Sequence, residues 1–333
     1  MKKSYIKKLA LFVGIFLGLI LLLPLLLKED LSKKTLASNN IEEENKNKDE
    51  NNARINARPS PKEEEYIYPP LHVRNQKIFL GENTENLIKK LGSPGRIDKT
   101  EYDFEYYIYN NNYNKLLFVL VSNENVVGYY TDSLDFEFMN ISPSSDINDV
   151  NKQLGTSFEL GELLIHDTGQ YNIHILMDRL ESEKVTGIYL TPNEASFEGF
   201  TSEVMRGIEI QVYDLTNSIR VRKSLPPLSW SSSAALSSRK HSQDMAKNNF
   251  FSHVNLGGRN PSDRMTSEGI PHGRTGENII AGYGGAILSN HAWFNSPDHR
   301  NNLLSENFRY LGVGFTYDPD SIYETYITQN FYR

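Results

Sequence analysis

Two histidines and a glutamate carry most of the chemistry that this 333-residue chain could perform. They stand in three fragments: Phe250-Phe251-Ser252-His253, Gly276-Glu277-Asn278-Ile279 and Trp293-Phe294-Asn295-Ser296-Pro297-Asp298-His299-Arg300-Asn301. Imidazole changes charge close to neutrality and, when neutral, binds divalent metals, and a carboxylate serves as a base or an oxygen ligand. Each fragment lies beside aromatic or glycine residues and far from the other two, which suits a cleft assembled from several loops rather than one helix face. Ser252 and Ser296, each near a histidine, add a nucleophile in principle.

The elements that must position these groups are legible around them. Ile208, Val212, Leu215 and Ile219 fall on one face of a helix over Glu203–Arg222 that Pro226-Pro227 terminates. A serine near 231 to 233 caps a second helix running to about Lys247, with Ala234, Ala235, Leu236, Met245 and Ala246 facing inward. His241 lies on that helix and is read as a packing histidine. Pro261–Glu268 forms a short helix begun by proline, and Tyr283–Asn295 forms another ending around Trp293. Leu311–Tyr317 and Tyr323–Phe331 are the best strands. Trp293 is assigned to the core, and Arg300 and Asn301 to holding the loop.

These fragments, with Leu225-Pro226-Pro227-Leu228-Ser229-Trp230 and Gln329-Asn330-Phe331, resemble the CAP superfamily of cysteine-rich secretory, antigen 5 and pathogenesis-related proteins, more closely its bacterial, SCP-like branch. The resemblance implies an extracellular α-β-α three-layer sandwich over residues 200–333 with a conspicuous cleft. By motif, His253 matches the first cleft histidine, Glu277 the first acid and His299 the second histidine. The second acid of many family members would fall three residues after Trp293, where this chain has Ser296. Asp298 is the nearest substitute. His253 and His299, with Glu277 close by, are therefore expected to form a weak, solvent-open site for a divalent metal such as Zn²⁺, with Glu277 acting directly or through water.

Residues 66–198 are read as an α+β domain built from two similar units. A short helix over Leu87, Ile88 and Leu91 stops at Gly92, and strands follow at Tyr102–Tyr109, Leu116–Val121 and Val126–Thr131. Ile147, Val150 and Leu154 repeat the helix before Gly155, with strands at Tyr171–Met177 and Lys184–Leu190. The Leu-Gly pairs lie 63 residues apart and Gly128 and Gly187 59 apart, too irregular for a solenoid. The clustered Tyr102, Tyr106, Tyr107, Tyr109, Tyr113, Tyr129 and Tyr130 are either half-buried core or a carbohydrate- or peptide-binding face, the core reading preferred. His166 and His174 have no acidic partner at ligand spacing and are read as structural or exposed. Placed before a CAP-like region, this segment resembles the CAP-associated N-terminal domain of bacterial proteins.

Leu9–Leu27 runs for 19 residues without a charge, about 28 Å of helix, enough to span a bilayer core. Lysines at 2, 3, 7 and 8 precede it while Glu29 and Asp30 follow, so residues 1–27 read as an uncleaved signal anchor with the remainder extracytoplasmic. A cleaved signal and secretion is the alternative, with Thr35 and Ala37 as a poor cleavage site. Residues 28–65, rich in Asn, Glu and Lys, bury too little to fold and read as a disordered linker.

Composition removes several function classes. With no cysteine, there is no disulfide framework, thiolate nucleophile or thiolate ligand. Residues 1–199 hold 22 basic and 30 acidic residues and residues 200–333 hold 13 and 12, so neither part has the basic face of a nucleic-acid binder. There is no His-Glu-x-x-His, Gly-x-Ser-x-Gly or phosphate loop. The leading expectation is a membrane-tethered extracytoplasmic protein whose cleft binds a metal, a small molecule or a cell-wall ligand without covalent chemistry. Two alternatives stand beside it: a protease-like cell-surface hydrolase using the His/Glu cleft, and a structural envelope-binding scaffold. With its own helices, strands and turn signals and an ordinary domain length, the segment 200–333 is expected to fold independently.

Overall fold

The computed structural model describes residues 67–161, 163–271 and 273–333. The signal anchor expected over residues 1–27 and the linker over 28–65 lie outside the described residues, and no helix within them is long and apolar enough to cross a membrane.

The fold is mixed α+β. In chain order the elements are β1 (Leu71–Val73), β2 (Gln76–Ile78), α1 (Thr84–Leu91), β3 (Arg96–Lys99), β4 (Glu105–Tyr109), β5 (Leu117–Ser122), β6 (Asn125–Thr131), α2 (Ile147–Leu154), β7 (Leu164–Asp167), β8 (Tyr171–Met177) and β9 (Val185–Pro192). They continue with α3 (Ser202–Arg222), β10 (Ser229–Trp230), α4 (Ser232–Asn248), α5 (Pro261–Ser267), β11 (Thr275–Ala281), α6 (Ala286–Phe294), α7 (Pro297–Leu303), β12 (Tyr310–Tyr317) and β13 (Thr325–Tyr332).

The first part forms a seven-stranded antiparallel sheet of order β3-β4-β5-β6-β9-β8-β7. Its two units meet at the β6–β9 seam, where Tyr129 pairs with Leu190, Tyr130 with Tyr189 and Thr131 with Ile188. A shift of 59 residues carries the first pair onto the third and the middle pair onto itself, so the spacing of Gly128 and Gly187 marks a pseudo-twofold between Tyr130 and Tyr189. β3, β7 and the β1–β2 hairpin add to the strands expected from sequence.

Both faces of this sheet are covered. On one, Val119, Val121, Tyr129, Ile173 and Ile188 pack with Leu87 of α1, Val150 and Leu154 of α2, and Leu71 and Ile78 of the hairpin. On the other, Phe104, Tyr106, Phe118, Leu120 and Tyr130 join a second cluster with Val204, Ile208, Val212 and Leu215 of α3. This double burial explains the unbroken apolar run of β5, as expected of strands with no solvent face. It also places the tyrosines: Tyr106, Tyr109, Tyr129 and Tyr130 are buried, and Tyr102 is the exposed member of the group. His174 is buried against Tyr189, and burial pushes its pKa down to about 4.

The second part is a four-stranded sheet of order β10-β12-β13-β11 between two helical layers. Along β12, Leu311, Val313 and Phe315 point into the cluster shared with α3, α6 and α7, while Gly312 and Gly314 face α4. A Cβ at Gly312 would lie 2.0 Å from Ala235 N and one at Gly314 2.1 Å from Arg239 N, so α4 lies directly on the strand backbone. Ser231 caps α4, and Asn260 with Asp263 forms a capping box at α5, each within a residue or two of the expected starts. Leu236, expected to pack inward from α4, is instead exposed; the inward face runs through Ala234, Ala235, Ser238, His241, Ser242 and Met245.

α3 joins the two sheets through its polar positions as well as its apolar ones. Asp214 takes an ion pair from Arg96 (2.9 Å) and hydrogen bonds from Asn110 and Tyr113, and Gln211 donates to Asp98 (3.0 Å). Ser218 donates to Asp132, which also pairs with Arg222 (3.0 Å). Buried polar groups are tolerated when every one of them finds a partner, and these partners fix how the helix sits on the first sheet.

Candidate functional site

The three sequence-derived fragments converge, but on elements of three kinds rather than on several loops. His253 lies in the loop after α4, Glu277 on strand β11 and His299 in the first turn of α7. A glycine-rich stretch, Gly269 to Gly276, leads into Glu277, yet Thr275–Ala281 pairs with β13 along its whole length, Glu277 opposite Asn330. α7 starts at Pro297, a proline tolerated at a first helical position, and turns His299 back toward β11.

The Gly276-Glu277-Asn278 triplet has a separate duty at each position. A Cβ on Gly276 would meet Phe308 at 2.7 Å and Asn302 at 2.8 Å, so glycine is what lets α7 and its following loop close on the strand. Asn278 donates to the His299 carbonyl (3.2 Å) and to Gln329 (3.0 Å) and accepts from Asn302 (2.9 Å), tying α7 to the sheet. Trp293 is fully buried and donates to the Ile279 carbonyl (3.2 Å).

Glu277 is buried and both of its oxygens are engaged. His253 Nδ1–H donates to Oε1 (2.9 Å) and Arg264 Nη2 to Oε2 (2.5 Å). Arg264, on α5, also donates from Nη1 to the carbonyls of His253 (2.8 Å) and Arg259 (2.9 Å), so a single guanidinium fixes the His253 loop and neutralises the carboxylate behind it. His241 completes the surround: it is buried, its Nε2–H donates to the Ser252 carbonyl (3.0 Å), and it lies 3.9 Å from Glu277. Burial lowers its pKa against the opposing pull of Glu277.

His299 Nδ1 lies 2.9 Å from Ser296 Oγ within the same turn. Its pKa is lowered by burial and by the neighbouring His253, with Asp298 pulling the other way, so it is neutral at pH 7. Asp298 itself is exposed at the start of α7. Each cleft imidazole is thus held through Nδ1, one by a carboxylate and the other by a hydroxyl, and Nε2 is the nitrogen left for a ligand. His253 keeps 49% of its side-chain surface open to solvent.

Among the described residues no group of three or more His, Asp or Glu is arranged to hold a metal. Of the expected triad His253, His299 and Glu277, the carboxylate is already committed to Arg264 and His253. Arg264 is the site residue that sequence reasoning missed; only its place on a short helix next to the His253 loop could have pointed to it. Arg300, assigned to holding the loop, does so across the two parts of the chain, whereas Asn301, assigned the same role, is exposed; Asn295 supplies the second hold. Arg300 pairs with Asp178 (2.9 and 3.1 Å), while Asn295 accepts from the Arg179 amide (2.8 Å) and donates to the Met177 carbonyl (3.0 Å).

Comparison with known proteins follows the same division. Residues 213–331 match the cysteine-rich secretory protein family, CAP, and residues 80–191 match the CAP-associated N-terminal family. The chain is 28% identical over 292 residues to the "uncharacterized membrane protein YlbC" of Bacillus subtilis (strain 168), covering 77% of this chain and 82% of that protein. It is 39% identical over 107 residues to the "uncharacterized protein YkwD" of the same organism, covering 32% of this chain and 42% of YkwD. An extracellular SCP-domain protein from Bacillus anthracis superposes with a TM-score of 0.67 at 25% identity, over 85% of this chain and 99% of that one. A cysteine-rich secretory protein from Staphylococcus aureus shares the fold, with a TM-score of 0.59 at 17% identity over 76% and 92% of the two chains.

Proposed function

Because the chain carries a CAP domain of the bacterial type behind a CAP-associated N-terminal domain, we propose that it works outside the cytoplasmic membrane as a binding protein whose cleft takes a divalent cation or a small polar ligand on His253 and His299. The observation that carries this reading is the pair of imidazoles held through Nδ1 with Nε2 left over. A carboxylate behind a ligating histidine fixes the ring and raises its basicity, the usual second-shell arrangement of metal sites. Glu277 fits that supporting role better than direct ligation, because Arg264 occupies its other oxygen. Two neutral nitrogens without a thiolate or free carboxylate make a weak site. The apolar run Leu9–Leu27 and its lysine flank support tethering with the folded part outside. The relatives' descriptions, a membrane protein and an extracellular protein, support the same placement.

Calorimetric titration of the full chain with Zn²⁺ tests the cleft. Wild type is expected to bind weakly at about pH 7.5 and more weakly at about pH 5, because protonation removes the lone pair that ligates. His253→Ala combined with His299→Ala is expected to abolish binding. Equal binding by wild type and the double variant would refute the metal site, and no binding by either would leave the cleft to an organic ligand.

One contact favours a second reading, a hydrolase. Ser296 Oγ lies within hydrogen-bond reach of His299, the pairing that activates a serine nucleophile. A triad needs a carboxylate on the far side of that ring, and Glu277 is bonded instead to His253 and Arg264. Incubation with a fluorophosphonate followed by peptide mass mapping separates the readings. Binding without catalysis leaves Ser296 unlabelled, whereas labelling lost in His299→Ala would establish the hydrolase.

A further inference from the structure

Three stretches distant in sequence cross at Glu101, a buried residue just after β3. Its carbonyl accepts from the amides of Glu198 (2.7 Å) and Gly199 (3.1 Å), and the Asp103 amide donates to the Ser196 carbonyl (3.0 Å), so the connection from β9 to α3 is stitched to this bend. The side chain reaches the second part of the chain: Oε1 lies 3.7 Å from where a Cβ on Gly285 would stand and 3.9 Å from one on Gly284, against the turn that starts α6. Aromatic rings close over the seam, Tyr102 on Phe197, Phe197 on Phe200 and Phe200 on Tyr317 of β12. A carboxyl held this way is tolerated as an acid and costly as an anion, because burial disfavours charge unless an opposite charge offsets it. The groups facing it are Tyr102 from the same bend, Tyr106 of β4 and Tyr189 of β9, all kept neutral by burial. The connection brings the acidic Glu198, α3 brings Glu203, which acts on Lys99, and the turn before α6 brings Tyr283 and glycines. The cations of these elements are engaged elsewhere: Lys99 with Glu105 (2.5 Å), Arg96 with Asp98 and Asp214, and Arg179, which acts on Tyr283, with the Gly161 carbonyl (2.6 Å). Burial therefore raises the Glu101 pKa to about 7, opposed only by its own amide.

We propose that Glu101 is a proton-operated latch between the first sheet and the turn that starts α6. As the neutral acid it lets the seam close; as the anion it favours an opening in which the 196–200 connection and the 284–285 turn lift away from it. The latch works whatever the cleft binds. In the open seam the carboxyl is solvated and ionises near its ordinary value, about 4.3, whereas in the closed seam it ionises near 7. The closed seam is therefore fully favoured below about 4.3 and loses that preference as the pH rises to about 7, above which both states carry the anion. Between about pH 5 and about pH 8 the open fraction rises roughly ten- to a hundredfold. What opens is the joint between the two parts of the chain, and the α6 that starts there carries Trp293 and leads to Ser296 and His299.

Amide hydrogen exchange on the full chain in detergent tests this at Asp103, Glu198 and Gly199, the amides bonded across the seam. Val119, at the centre of β5 and flanked by β4 and β6, marks global unfolding. Each wild-type rate is divided by the rate of the same amide in Glu101→Gln, a neutral side chain of the same shape, at the same pH, which cancels the intrinsic chemistry of exchange. The ratio at the seam is expected to rise about ten- to a hundredfold from about pH 5 to about pH 8, with Val119 more strongly protected than the seam throughout. If the glutamine variant does not fold, wild-type rates corrected for the intrinsic pH dependence carry the same expectation. A ratio, or a corrected wild-type rate, that does not change with pH would overturn the latch. So would seam amides as protected as Val119, because the seam would then open only with the whole molecule.

Discussion

Residues 200–333 produced without the preceding sheet are expected to lose cooperative unfolding and to bind hydrophobic dyes. Length and internal punctuation alone favour independence, since this segment holds a complete sheet with helices on both sides. The core does not stop at the boundary. Val204, Ile208, Val212 and Leu215 of α3 and Ile287 and Phe294 of α6 share one cluster with Phe104, Tyr106, Phe118, Leu120, Tyr130 and Leu176 of the first part. Re-exposing a large apolar side chain costs roughly 1.5–3 kcal/mol. Three or four such side chains reach the low end of a domain's total stability, about 5 kcal/mol. The truncation also strips Asp214, Gln211 and Ser218 of their partners and frees the α6–α7 connection from Met177–Arg179. Circular dichroism melts and limited proteolysis of the segment beside the full chain provide the measurement. A sharp melt within a few degrees of the full chain would show that the shared cluster is dispensable.

How much of this was legible depended on whether local pattern or tertiary contact decides the outcome. α3 and α4 stand out because apolar spacing and caps repeat over several turns, and Ser231 and Pro261 lie near the positions their chemistry demands. The residues singled out by motif do meet in pairs, His253 with Glu277 and His299 with Ser296. What escaped was set by partners distant in sequence. β11 is a strand because β13 pairs with it, although a glycine-rich stretch, Gly269 to Gly276, leads into it. The edge strands β3 and β7 are four residues each, too short for a period-two signal. Arg264 owes its importance to a carboxylate on another element, and an isolated arginine on a seven-residue helix announces nothing of the kind. The leading tyrosines illustrate the opposite case: alternation correctly favoured packing, but only the second covering layer explains why both sets of alternate residues are buried.

Asp178→Ala is expected to destabilise the protein by about 3 kcal/mol, the low end of the cost of breaking a buried pair from one side. Asp178 directly follows β8 and accepts both Arg300 nitrogens, and its Oδ1 also caps the turn through the amides of Leu180 and Glu181 (3.2 Å each). Removing it strands a buried guanidinium, although Arg300 retains the exposed Glu181 and its stacking on Phe294 at 4.0 Å, which is why the low end applies. Burial by itself would raise the Asp178 pKa, but the hydrogen bonds and charge of Arg300 outweigh it and hold the carboxyl at about 2. A folded pKa below the unfolded value, about 3.9, means the stabilisation is complete above that value and fades as the pH falls through about 2. The gap between wild type and variant in urea titrations should therefore be full at neutral pH and shrink in strong acid. The functional consequence follows the chain: Arg300 neighbours His299 on α7, and Asn295 ties the preceding turn to the same β8 end. Loosening that grip should weaken Zn²⁺ binding although no cleft residue has changed. A stability loss below about 1 kcal/mol, the value of an exposed ion pair, together with unaltered Zn²⁺ affinity, would mean that the first sheet does not position the second histidine.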